Sequence, residues 1–174
     1  MGGTLSAGTI AGMLGGCTAR PGDQARTLTG RQSELVATIA ECIIPETDTP
    51  GARAAGVHTF IDAMLTDWCG EEERSHFLSE LAIADEKARA MFAREFLDLD
   101  EAQQVQLLTT LEDEALAALP TRDPERPPLF IAMKTLTLFG YYTSEIGATV
   151  ELRVMPMGEY RGDVPFEEIG RAWA

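Results

Sequence analysis

Five stretches of this chain repeat their apolar residues at three-four spacing, and no stretch alternates with the period of two that a half-buried strand requires. That pattern restricts the fold to an all-α architecture, an irregular bundle of about five helices. The first stretch opens at Thr29, whose spacing to Gln32 is that of a capping box. It runs through Leu35, Val36, Ile39, Ala40, Ile43 and Ile44 until Pro45 stops it. A turn-forming loop, Glu46 to Gly51, separates it from a second helix with Val57, Phe60, Ile61, Met64, Leu65 and Trp68 on its apolar stripe and Gly70 at its end. A third helix is expected over 71–96, with Phe77, Leu78, Leu81, Ala84, Ala88, Met91 and Phe92 buried. Asp100 is placed to cap a fourth over 101–119, carrying Val105, Leu107, Leu108, Leu111, Ala115 and Leu119. The fifth, 129–145, is apolar nearly all round and needs cover on every side.

The two ends of the chain read differently. Gly2 to Gly16 carries no charge and closes on Leu14-Gly15-Gly16-Cys17, the build of a signal-peptide apolar region ending at a lipoprotein cleavage pattern. Cys17 is therefore the candidate lipidation site, although no Arg or Lys precedes the apolar run as an export signal requires. The expected organisation is a signal segment over 1–17, a polar tether over 18–28, a helical domain over 29–147 and an extended arm over 148–174. A formal charge of −14 over 174 residues repels phosphate backbones and anionic headgroups, so nucleic acid is not an expected partner and a membrane is expected only through the N-terminus or a partner. Cys42 and Cys69 show no metal spacing and are expected unbridged.

Convergent reactive groups are scarce. His58 and His76 stand on different helices without a second ligand in helical register, and Glu112-Asp113-Glu114 are neighbours that do not face one another on a helix. No Gly-rich phosphate loop follows a strand, so neither a catalytic residue, a metal nor a cofactor is assigned to this chain. A surplus of aromatic residues and Met near the C-terminus is the remaining feature. On the fifth helix such residues read first as core; on the arm, which has little domain of its own to bury them, they read as contacts for another protein. The interface candidates are Tyr141, Tyr142, Met155, Met157, Tyr160, Arg161, Phe166 and Trp173.

Several of these segments carry a likeness. Leu35-Val36-Ala37 through Ile43-Ile44-Pro45-Glu46-Thr47-Asp48-Thr49-Pro50-Gly51-Ala52, then Ala55-Gly56-Val57 and Phe60-Ile61-Asp62, resembles the opening of the gluconate 2-dehydrogenase subunit 3 family. Phe96-Leu97-Asp98-Leu99 with Gln103-Gln104 looks like its middle-helix entry, and Phe130 through Leu136-Thr137-Leu138-Phe139-Gly140-Tyr141-Tyr142-Thr143-Ser144 like its late helix. Tyr160-Arg161-Gly162-Asp163-Val164-Pro165 is similar to its arm. The likeness runs in order over about 33–166. It implies a small, non-catalytic subunit beside a large FAD-containing subunit of the glucose-methanol-choline type, often with a multihaem cytochrome c. It also implies a role in folding and twin-arginine export of the large subunit, and a periplasmic, membrane-associated complex. This chain lacks the arginine pair, and Asp163 stands where many relatives carry Cys, so no family disulfide is expected there. Two other readings stay open: an independent periplasmic lipoprotein that binds a small ligand, and an enzyme using His58 or His76.

Overall fold

The structure, a computed structural model, describes residues 26–118, 123, 126–153, 163–170 and 172. The expected signal segment and all but the last residues of the tether, 26–28, fall outside this range, as do Leu119, Met155, Met157, Tyr160, Arg161 and Trp173. Within it the chain is all-α. Five long helices, α1 (Gly30–Ile43), α2 (Val57–Asp67), α3 (Glu71–Phe92), α4 (Glu101–Ala118) and α5 (Leu129–Tyr142), are followed by a short one, α6 (Phe166–Ile169). The helix over α5 touches each of the other four long helices and is the hub of the bundle.

Local chemistry sets the helix starts. The Thr29 hydroxyl accepts from the Gln32 N–H while the Gln32 side chain accepts from the Thr29 N–H at 2.9 Å, so two of the orphan donors at the α1 N-terminus are satisfied. Asp62 of α2 accepts from the Thr27 and Leu28 N–H groups at 3.0 and 2.9 Å and draws the entering strand of chain against the bundle. At the start of α5, where Pro128 leaves no side-chain cap, Glu80 of α3 reaches across and accepts from the Leu129 N–H at 2.9 Å.

The loop between α1 and α2 is held from three sides. Glu41 accepts from the Glu46 and Arg53 N–H groups at 2.9 and 2.8 Å, Tyr141 donates its hydroxyl proton to the Pro50 carbonyl at 2.8 Å, and the Thr49 hydroxyl donates to Glu151 at 2.9 Å. Gly51 closes that turn-forming loop without a left-handed backbone. Its role is instead to leave room: a Cβ there would lie 2.2 Å from the Glu41 carboxylate, and the left-handed backbone in this loop belongs to Gly56, at φ 71°.

Four expectations fail locally. The α3 pattern breaks at Phe92 rather than running to 96, because Ala93 turns left-handed at φ 56° and Phe96, in a separate 3-10 turn (Phe96–Asp98), drops fully into the core. The cause is Asp85, a buried carboxylate that accepts from the Phe96 N–H at 3.0 Å and from Arg31 of α1 at 2.7 Å. Trp68 is 79% exposed, because α2 ends at Asp67 and the Cys69 N–H closes back on the Met64 carbonyl. Val105 and Met91 are also exposed; Val105 lies about 100° round α4 from the buried stripe of Leu107, Leu108, Leu111 and Ala115. Finally, the C-terminal arm is not extended throughout. Gly147–Glu151 forms a π-helical turn, α6 follows, and the Arg153 N–H pairs with the Ala172 carbonyl at 2.8 Å.

The core is continuous through all five long helices, and α5 carries a flaw in it. Thr137 on α5 is fully buried, and its hydroxyl has no hydrogen-bond partner. A buried hydroxyl without a partner costs its desolvation and returns nothing. Thr137→Val is therefore expected to raise the unfolding free energy by about 1 kcal/mol, seen as a higher urea midpoint at unchanged slope. A lower midpoint would show that the hydroxyl is satisfied.

Candidate functional site

The reactive side chains are mostly occupied with holding the fold. His76 shares a 3.0 Å hydrogen bond with the Pro127 carbonyl through Nε2. His58, near the start of α2 and five positions after Arg53 of the preceding loop, has a buried, unpartnered Nδ1, and burial together with the Arg53 charge holds its imidazole below the usual value. Cys42 and Cys69 are both free. Burial pushes each thiol up, with Glu101 and Glu41 adding to the effect at Cys42 and Glu73 at Cys69, so both are kept protonated and are weak nucleophiles.

The carboxylates tell the same story. Glu112 pairs with Lys134 at 2.9 Å and ties α4 to α5, while Glu114 pairs with Lys87 and ties α4 to α3. Arg31 bridges Asp85 and Glu95, and Arg89 pairs with Glu95 from the other side. Among the described residues no three His, Cys, Asp or Glu side chains come together as metal ligands.

The open surface is a different matter. The α5 segment contains no acidic residue and only Lys134 as a charge, and its outer face leaves Leu138 39%, Phe139 57% and Tyr142 40% exposed. The Phe139 ring packs on Phe60 of α2 at 5.8 Å, and Gly140 makes that approach possible: a Cβ there would stand 2.6 Å from the Phe60 ring. One turn earlier on α5, a cavity of about 400 Å³ opens between α2, α3 and α5. Leu65, Cys69, Phe77, Ile131, Ala132 and Leu136 line it, with Thr135 at its mouth. Trp68, the most exposed large apolar side chain described, directly precedes Cys69.

The interface candidates divide accordingly. Tyr141 is 1% exposed and belongs to the core: its position on α5 turns it inward, where its hydroxyl binds Pro50, so it has no surface to offer a partner. Tyr142, the next residue, lies outside and meets the Tyr141 ring edge-on at 5.3 Å. Phe166 on α6 is 69% exposed. The other five lie outside the described residues. Sequence reasoning placed Trp68 on the buried stripe of the second helix and read Phe139, as an aromatic of the fifth helix, first as core. The signal was present in α5 itself: an all-round apolar helix in a five-helix bundle has more apolar surface than four neighbours can cover.

Fold and face together define a small protein, all-helical over its described residues, with an aromatic surface left exposed. Residues 30–159 match the family model of gluconate 2-dehydrogenase subunit 3, and the chain belongs to that family, an accessory subunit of a dehydrogenase. No curated protein and no solved structure matches it significantly.

Proposed function

We propose that this chain is the non-catalytic small subunit of an exported FAD-dependent sugar dehydrogenase complex, and that it stabilises the large FAD-containing subunit by covering an apolar surface on it. All redox chemistry then stays with the partner, and electrons pass to a multihaem cytochrome c where one is present. The observation that carries this reading is the open face of α5: an uncharged, half-exposed aromatic stripe on a chain of net charge −14, in a family of dehydrogenase subunits. A stable interface buries about 800 Å² on each partner, with a few aromatic anchors at its centre supplying most of the energy. Leu138, Phe139 and Tyr142 fit such a centre. The same reading places the complex in the periplasm, exported through a twin-arginine signal and held at the membrane by Cys17 or by the partner. No helix among the described residues is long and apolar enough to cross a membrane.

A partner that binds only the folded state at about 100 times its dissociation constant adds about 2.7 kcal/mol to that state's stability. Co-expression is therefore expected to raise the soluble, flavin-loaded yield of the large subunit several-fold, measured as flavin absorbance per unit protein. Equal yield and activity without this chain would overturn the reading.

A further inference from the structure

Resting on that reading, we propose that the cavity between α2, α3 and α5, lined by Cys69 next in sequence to the exposed Trp68, is the socket for one bulky apolar side chain of the large subunit, carried on a segment flanked by Lys or Arg. Its volume of about 400 Å³ is enough to take such a group, and Leu65, Phe77, Ile131 and Leu136 give it apolar walls. Three of the polar side chains that line it are already engaged. His76 is bonded to the Pro127 carbonyl, Glu80 to the Leu129 N–H, and Glu73 to the Gly70 N–H at 2.8 Å. A small-molecule site needs a few free, convergent polar groups to orient its ligand; this one offers shape and apolar surface instead.

Two further observations select the occupant. The cavity is continuous with the open face, since Thr135 at its mouth stands one turn before Leu138 and Phe139 on α5. Its lining carries acid as well: the carboxylates of Glu73 and Glu80 line it, and Glu71 and Glu72, exposed beside Glu73 in the first turn of α3, add to the negative charge, with Arg126 meeting Glu72 only at 3.9 Å. A second copy of this chain would bring two charges of −14 together. A basic-flanked segment of a different protein meets the same negative charge with attraction, which also speeds encounter.

The thiol inside the cavity supplies the test. Cys69 lines it, whereas Cys42 lies beside Gln104 of α4 and serves as internal control. Alkylation by iodoacetamide, resolved by residue with mass spectrometry, is expected to slow about tenfold at Cys69 and little at Cys42 when the full chain is in complex with the large subunit of its own dehydrogenase. Thr135→Arg and Trp68→Ala change exposed residues, and each is expected to weaken the complex about tenfold while the free variants melt as wild type. The footprint on the unsubstituted chain stands independently of how the variants fold. If the complex forms but Cys69 keeps its free-chain reactivity and both variants bind at full strength, the socket is wrong and the accessory-subunit reading survives. If the unsubstituted chain forms no complex, that reading fails and the socket with it. Self-association of the chain alone that Thr135→Arg abolishes, or a co-purified small molecule protecting Cys69, would give the cavity a different occupant and overturn the proposal.

Discussion

Asp85→Ala will lower the unfolding free energy by about 3 kcal/mol at neutral pH, the largest effect expected of any single surface-to-core polar contact here. The Asp85 carboxylate is 7% exposed and holds two unlike groups, the buried Phe96 N–H and the Arg31 guanidinium. Alanine leaves the N–H without a partner inside the core and frees Phe96, whose ring is fully buried, to leave its place. Arg31 is half exposed and can be rehydrated, so the cost lies mainly in the orphaned N–H and the loosened ring.

The acid limb of stability follows from the same site. Burial alone would push the Asp85 carboxyl up, but the Arg31 hydrogen bond, the Phe96 N–H and the charges of Arg31 and Arg89 outweigh it and hold it below the usual value. The unfolded chain therefore takes up a proton first as pH falls. The contribution of Asp85 is complete above the ordinary carboxylate value, about pH 4, and is lost as pH drops through the lower folded value. Glu95, held low by Arg89 and Arg31, titrates in the same direction and remains in the variant, so the acid limb should shrink rather than vanish. Urea midpoints at a series of pH values between neutrality and strong acid measure both effects. A loss under about 1 kcal/mol at neutral pH, or a gap between variant and parent that widens in acid, would refute this account.

Gly147→Ala is the second large effect. A Cβ at this position would lie 1.9 Å from the Tyr141 carbonyl oxygen, 2.7 Å from its carbon and 3.0 Å from the Tyr142 Cα. These are backbone atoms and cannot swing away, so either the π-helical turn opens or α5 shifts, at a cost of about 3 kcal/mol. The turn also carries Glu151, which receives the Thr49 hydroxyl, so its opening should loosen the loop after α1. Hydrogen exchange reads this directly: the Leu152 amide, bonded to the Gly147 carbonyl at 2.9 Å, should exchange about tenfold faster. Gly30→Ala is the matched control, for nothing lies within 4 Å of its added carbon; it should stay within about 0.5 kcal/mol of the parent or gain. Equal stability of the two variants would show that the close approach at Gly147 does not exist.

The helical layout was legible because it depends on neighbours along the chain. The capping pair Thr29 and Gln32, the stop at Pro45, and the three-four spacing of Leu107, Leu108, Leu111 and Ala115 each act within one or two turns. The likeness carried by the loop from Pro45 to Ala52 and by the late helix also reached the family correctly. The ends of helices were less legible where a distant group decided them: α3 stops at Phe92 because Asp85 draws Phe96 inward with help from Arg31, 54 positions away. The open face was legible only as a surplus of apolar residues on α5, not as a location.

Adjacent tyrosines mark the boundary between the two kinds of information. Residue order alone determined that an apolar helix would start at Leu129, since helical periodicity and composition are local properties of the chain; it was expected to reach 145, and the helix ends at Tyr142, where the chain turns at Thr143 and Ser144. Only the packed bundle decided that Tyr141 turns in toward Pro50 while Tyr142 and Phe139 turn out, and that Trp68 stands exposed while its neighbour Cys69 lines a cavity. A helix nearly uniform in hydrophobicity has no preferred buried side until its neighbours arrive, and what those neighbours leave uncovered is a property of their arrangement in space.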